Sequence, residues 1–202
     1  MAIKTFDLDE ITVQFDPTLV YRSWEHSMEW LLEEGEEYDL LDAVGGNREF
    51  TPMDSIGMDS LNELFEQEKR YIRLLESDNI TEEEIAEAED ELHDDDIWRP
   101  HLILDVGVRS TVMALLELGC YPFSSCNGGS FSDKMHHIEH YPLVAMYGEA
   151  LALRQVEIAA KASGCGLHWV NDMSGMGALV LYADDIRRFA DFAKAIIDSL
   201  RN

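Results

Sequence analysis

The chain has 202 residues and a formal charge of −26, enough length for one generous core and a surface that repels polyanions, which excludes broad-surface binding of duplex DNA or RNA. No run approaches the roughly 18 apolar residues of a membrane helix, and the opening Met-Ala-Ile-Lys-Thr-Phe-Asp lacks the apolar core of a signal peptide, so a soluble, cytoplasmic, non-membrane protein is expected. Three cysteines, Cys120, Cys126 and Cys165, are too few and odd in number for a disulfide framework and are expected to be thiols.

The acid is unevenly spread. Residues 1–100 carry 30 Asp/Glu against 7 Lys/Arg, and residues 101–202 carry 11 against 8. Two readings follow: a solvated, solubilising face, or a surface for a basic protein partner.

Ile3–Phe6 and Ile11–Phe15 read as two short strands of a hairpin around Asp7-Leu8-Asp9-Glu10. Asp16-Pro17 gives a cap and a first-turn proline, and Val20, Trp24, Met28 and Leu31 or Leu32 recur at helical spacing up to Gly35. An irregular connector runs to Gly57, and its Gly45-Gly46-Asn47 lacks the lysine of a phosphate loop. A helix is expected over Asp59–Leu75, burying Leu61, Leu64, Phe65, Tyr71, Ile72 and Leu75. Thr81-Glu82-Glu83-Glu84 matches a capping box that starts a short acidic helix with Ile85, Ala88 and Leu92 as its apolar edge. Trp98-Arg99-Pro100 marks a break.

Beyond it, a strand around Leu102–Leu104, Asp105 as N-cap and a helix ended by Gly119 precede a strand from Cys120 to Ser124. A strand over Leu143–Tyr147, a helix from Glu149 to Ser163 stopped by Gly164, strands Leu167–Val170 and Ala178–Tyr182, and a final helix capped by Asp184 complete the pattern. Helix, Gly-Cys, strand, loop, strand thus occurs twice. The expected fold is α+β (α/β-type): a sheet of two α-β-β units over residues 101–202 with helices on one face, plus an acidic, mainly helical region over residues 1–100 packed on it.

Ser124-Ser125-Cys126-Asn127-Gly128-Gly129 is the sharpest functional feature. Small polar residues and glycines at a strand end let backbone amides approach an anion or a carbonyl oxygen. The same Asn-Gly-Gly also suits a tight turn that needs positive φ and no ligand.

Asp105-x-Gly107, Leu118-Gly119, Ser125-Cys126-x-Gly128-Gly129, His137 and Pro142-x-Val144-x-Met146 together resemble a bacterial domain family of unknown function. Its members carry Ser-Cys-x-Gly-Gly followed by a histidine and a Pro-x-Val-x-Phe strand; Met146 stands in place of that aromatic. The resemblance covers residues 102–182 and implies a functional role for the loop and for His137. Ser124-Ser125-Cys126-Asn127-Gly128 is more distantly similar to the Ser-Ser-Cys-Ser-Gly-Arg motif of the wybutosine-synthesis tRNA methyltransferase family, which would imply S-adenosylmethionine. Gly129 stands where that family has arginine, which removes a contact to phosphate or base.

Cys126 near His136, His137 and His140 raises a nucleophile, with His137 as its partner, and a zinc set of Cys126, His136 and His140 with Glu139. Against the first stands a packed thiol, and against the second stand adjacent histidines that point apart. His168, with Asn171 and Asp172, occupies in the second unit the place of the glycine loop in the first, and is expected to face the same cleft as Cys126. The expected function is binding of a small polar or anionic, nucleotide-like ligand at Ser124–Gly129 with His137 and His168. The alternative is an acidic inhibitor, immunity factor or nucleic-acid mimic that covers a basic protein.

Overall fold

A computed structural model describes residues 3–16, 53–77, 81–92, 104–131, 140–171 and 177–201. The chain is a mixed α+β fold with one four-stranded antiparallel sheet. In order, the elements are α1 (Met58–Leu75), α2 (Glu82–Leu92), α3 (Arg109–Glu117), β1 (Cys120–Cys126), β2 (Leu143–Gly148), α4 (Ala150–Ser163), β3 (Gly166–Asn171), β4 (Gly177–Tyr182) and α5 (Arg187–Leu200). The strands lie in the order β1-β2-β4-β3. Expected elements over residues 17–52, and the strand residues Leu102 and Ile103, lie outside the described residues.

The sheet is buried on both faces, and the two faces pack differently. Val144, Met146, Leu167, Leu179 and Leu181 join the helices in the main core. Their neighbours one residue along, Leu143, Ala145, Tyr147, Ala178, Val180 and Tyr182, form a second cluster with Phe123 on the opposite face. Alternation along a pleated strand produces this division. Helix α3 is the hub: residues 109–115 are all buried, and it packs against α1, α5 and β1. Helix α5 turns Phe189, Phe192, Ala193, Ile196 and Ile197 inward at helical spacing.

Three local expectations give way to other arrangements. The segments Ile3–Phe6 and Ile11–Phe15 do not form a hairpin with each other: Thr5 bridges Asp185, and Val13 bridges Leu167 as a parallel neighbour of β3. The outer edge of β3 offers unpaired backbone groups that a hairpin would have left open. Asp105 does not cap α3. Glu68 does so from α1, its carboxylate accepting from the amides of Gly107 at 2.6 Å, Arg109 at 3.2 Å and Ser110 at 2.8 Å. At the start of α5, Asp185 accepts from the Arg187 amide at 2.9 Å, while Asp184 pairs with Arg188.

The capping box forms as the sequence implies. Glu84 donates its amide to the Thr81 hydroxyl at 3.2 Å, and its carboxylate accepts from the Thr81 amide at 2.9 Å. Gly164 closes α4 in the left-handed conformation with φ 73°. Among the described residues, no helix is long and apolar enough to cross a membrane.

Candidate functional site

The glycine loop is folded into the protein by its own hydrogen bonds. The Asn127 amide donates to Asp105 Oδ2 at 3.0 Å, and the Asn127 side-chain nitrogen donates to the Val106 carbonyl at 3.1 Å. Gly129 donates to Asn127 Oδ1 at 2.9 Å, Ser130 donates to the Asn127 carbonyl at 3.1 Å, and the Gly128 amide lies 3.3 Å from Cys126 Sγ. All four amides therefore have acceptors within the chain, and residues 126–131 are buried. Asn127 is the organiser, because its short amide side chain satisfies the turn in both directions.

Gly128 is required by space as well as by its φ of +64°: a Cβ there would lie 2.4 Å from the Tyr141 carbonyl carbon. Two chain segments cross at this point with only hydrogen between them. The expected role of the glycines, an opening for a ligand, is taken instead by the Tyr141 backbone, and Phe131 closes the turn edge-on against Tyr71 of α1 at 5.6 Å.

Strand register sorts the remaining candidates. Ser124 pairs with Ala145, Ala145 with Val180, and Val180 with His168, so these four side chains form one row across the second face of the sheet. The neighbouring row is Cys126, Leu143, Tyr182 and Gly166. Ser125, opposite Val144, belongs to the helix side. Three strand spacings put Ser124 and His168 about 14 Å apart. Phe123 enters the second face through an irregularity between Pro122 and Ser124, and stacks on Tyr147 at 4.6 Å.

Ser124 is the unusual member of its row. It is only 4% exposed, and its hydroxyl has no hydrogen-bond partner among the described residues. His168 is half-buried with its ring 4.9 Å from that of Tyr182, and burial holds its imidazole below the ordinary range, in favour of the neutral ring. Tyr141 meets Tyr182 edge-on at 6.1 Å.

The expected placement of Asn171 beside the glycine loop is overturned, and Asp172 lies outside the described residues. Asn171 stands opposite Gly177 at the far end of the sheet, about 17 Å along β4 from the row of Cys126. Strands β2 and β4 are antiparallel neighbours at the centre, so the β1–β2 and β3–β4 connections leave from opposite ends. His168, two residues into β3, stays on the row of Ser124.

His136, His137 and Glu139 lie outside the described residues, and His140 is exposed. Among the described residues, no group of three or more histidine, cysteine or acidic side chains is placed to hold a metal ion. Burial pushes the Cys120 and Cys165 thiols up to about 12, so both are unreactive near neutrality. The chain matches no protein-family model, no curated protein and no solved structure. The resemblances drawn from the loop therefore rest on its motif residues alone.

Sequence reasoning passed over Glu68 and Arg109. Both are about 1% exposed, and the Arg109 guanidinium donates to the Leu92 and Leu104 carbonyls at 2.8 Å each. The only signal was an acid at the inward position between Phe65 and Tyr71, where the apolar stripe of α1 calls for a hydrophobe.

Proposed function

We propose that the chain binds a small, uncharged polar ligand on the second face of the sheet, beside the glycine loop, with Ser124 as its hydrogen-bonding anchor and His168 at the far side. The buried Ser124 hydroxyl, without a partner among the described residues, carries this reading. A hydroxyl desolvated in that way costs about 1–3 kcal/mol, which a ligand hydrogen bond offsets. Ala145 gives the row a low floor, and the Phe123–Tyr147 stack supplies an aromatic flank.

The chemistry narrows the ligand. The loop amides already have acceptors, and the imidazole of His168 favours its neutral form, so the described residues give an anion no counter-charge on this face. A ligand that touches both Ser124 and His168 has the length of a nucleoside rather than of a simple ion. The element order supports reading the sheet as two α-β-β units about a local twofold between β2 and β4, with helices on one face. On that reading the second unit offers Asn171, at the end of β3, where the first offers Cys126, at the end of β1.

Thermal-shift screening with nucleosides and other neutral polar metabolites tests the proposal. At least one should raise Tm in the wild type and fail to do so in Ser124→Ala, with His168→Ala weakening the effect. Hits that bind Ser124→Ala equally well would sink it.

A second reading, an acidic interaction protein for a basic partner, is favoured by α2. Ala88 and Leu92 bury its inner edge, while Glu83 and Glu87 are exposed and have no cationic partner among the described residues. If Glu83→Lys with Glu87→Lys abolishes function in cells while Ser124→Ala leaves it intact, this reading replaces the first.

A further inference from the structure

We infer that residues 3–16 are a detachable strap that closes the Ser124 face, an inference that rests on the ligand site proposed above. The strap is tied at three places. Near its start, Lys4 donates to the Ser130 carbonyl at 2.9 Å, directly beyond the glycine loop, and Phe6 donates to the Asp184 carbonyl at 2.8 Å. In its middle, Leu8 and Ile11 lie on the second sheet face against the cluster of Leu143, Ala145, Val180 and Tyr182. At its end, Leu167 donates to the Thr12 carbonyl at 2.8 Å and Gln14 donates to the Leu167 carbonyl at 2.6 Å. The Tyr182 hydroxyl accepts from the Thr12 amide at 3.1 Å, so a residue of the second face itself holds the strap.

These ties are few, and the strap's own burial is shallow. No residue from 3 to 16 is fully buried, whereas Ala145, Val180 and Leu143 beneath are 2% exposed or less. Asp7, Asp9 and Glu10 are exposed along it, in a chain that already carries −26. Apolar contacts that are only partly buried, those of Ile3, Val13 and Phe15 on the main core and of Leu8 and Ile11 on the second face, and a two-bond ladder on a single residue mark the segment that opens first, while β2 and β4 stay paired on both sides. Opening would uncover the floor of the site and release Ile3, Val13 and Phe15 from the edge of the main core.

Leu167 makes this measurable. It is fully buried, and both its amide and its carbonyl point at the strap, so its amide exchange reports strap docking, while Leu181 in β4 reports the sheet. Access to the site is read by alkylation with iodoacetamide of a Ser124→Cys, Cys126→Ser double variant, since the thiols of Cys120 and Cys165 are buried and held protonated. Adding Gln14→Pro deletes one tie without distorting an extended strand. We expect it to speed both Leu167 exchange and alkylation at position 124 at least tenfold, with Leu181 unchanged.

Faster Leu167 exchange with unchanged alkylation would overturn the inference, because the strap would then open without uncovering the site. Where Gln14→Pro unfolds the sheet, urea titration of exchange in the unaltered protein decides. A lower urea dependence for Leu167 than for Leu181 supports a separate opening, and equal dependences overturn it. No ligand enters either measurement, so failure here leaves the binding proposal standing, and an empty ligand screen leaves the strap standing.

Discussion

Glu68, buried in α1, is the acceptor on which the start of α3 depends. Its carboxylate serves three amides at the start of α3, and beside it the Arg109 guanidinium holds the last carbonyl of α2. Desolvation holds the Glu68 carboxyl above the usual carboxylate range, against the opposing pull of its hydrogen bonds and of Arg109. Glu68→Ala leaves those amides buried and unpaired and strips Arg109 of its neighbour. The expected loss is about 3–5 kcal/mol, read by urea unfolding. His168 gives a pH signature. Its folded imidazole is held below the ordinary value of 6.5, so the unfolded chain binds the proton more readily. Stability from this residue is full above pH 6.5 and is lost as pH falls through that value towards the folded one. His168→Gln should flatten the decline in Tm between about pH 7 and pH 5, measured against the wild type.

At the scale of elements, what could be read in advance was what depends on near neighbours. The stripe of α1, the Thr81–Glu84 box, the Gly164 stop and the short apolar strands β2 and β4 are periodic or contained within a few residues, and each formed as its local chemistry implies. What escaped were long-range substitutions of partner. Asp105 looked like a cap because it stands before a helix, yet its carboxylate accepts from Asn127, 22 residues on, and a carboxylate from 42 residues before Ser110 does the capping. Ile3–Phe6 and Ile11–Phe15 have strand chemistry, but strand chemistry does not name the strand it pairs with, and the open edge of β3 competed successfully. The glycine loop was legible as a special turn and not as a crossing of two backbones, because nothing in the sequence brings Tyr141 to Gly128. The row of Ser124 and His168 needed the register of three strand pairs.

For the molecule as a whole, charge dominates the energetics outside the core. The described ion pairs are spread over α1, α4 and α5, and none of them involves the exposed acids of α2. With a net charge of −26, like-charge repulsion opposes the compact state and is screened over about 10 Å at 0.1 M salt. Raising NaCl from 10 mM to 500 mM should therefore raise Tm, and the rise should shrink when Glu83 and Glu87 are changed to glutamine. Differential scanning calorimetry at constant pH would read both. A Tm that is flat in salt would mean that the acidic surface is balanced locally.

The borrowed cap also constrains the order in which the chain can mature. Glu68 leaves the ribosome 42 residues ahead of Ser110, whose amide it receives, a delay of about 2–8 s at ordinary rates of synthesis. Throughout that interval α1 carries a hydrated carboxylate in the middle of its apolar stripe, which hinders sticking to other nascent chains. Only the arrival of Gly107, Arg109 and Ser110 makes burial of that stripe favourable. Helix α1 thus waits for α3, whose first amides are the partners of its buried carboxylate.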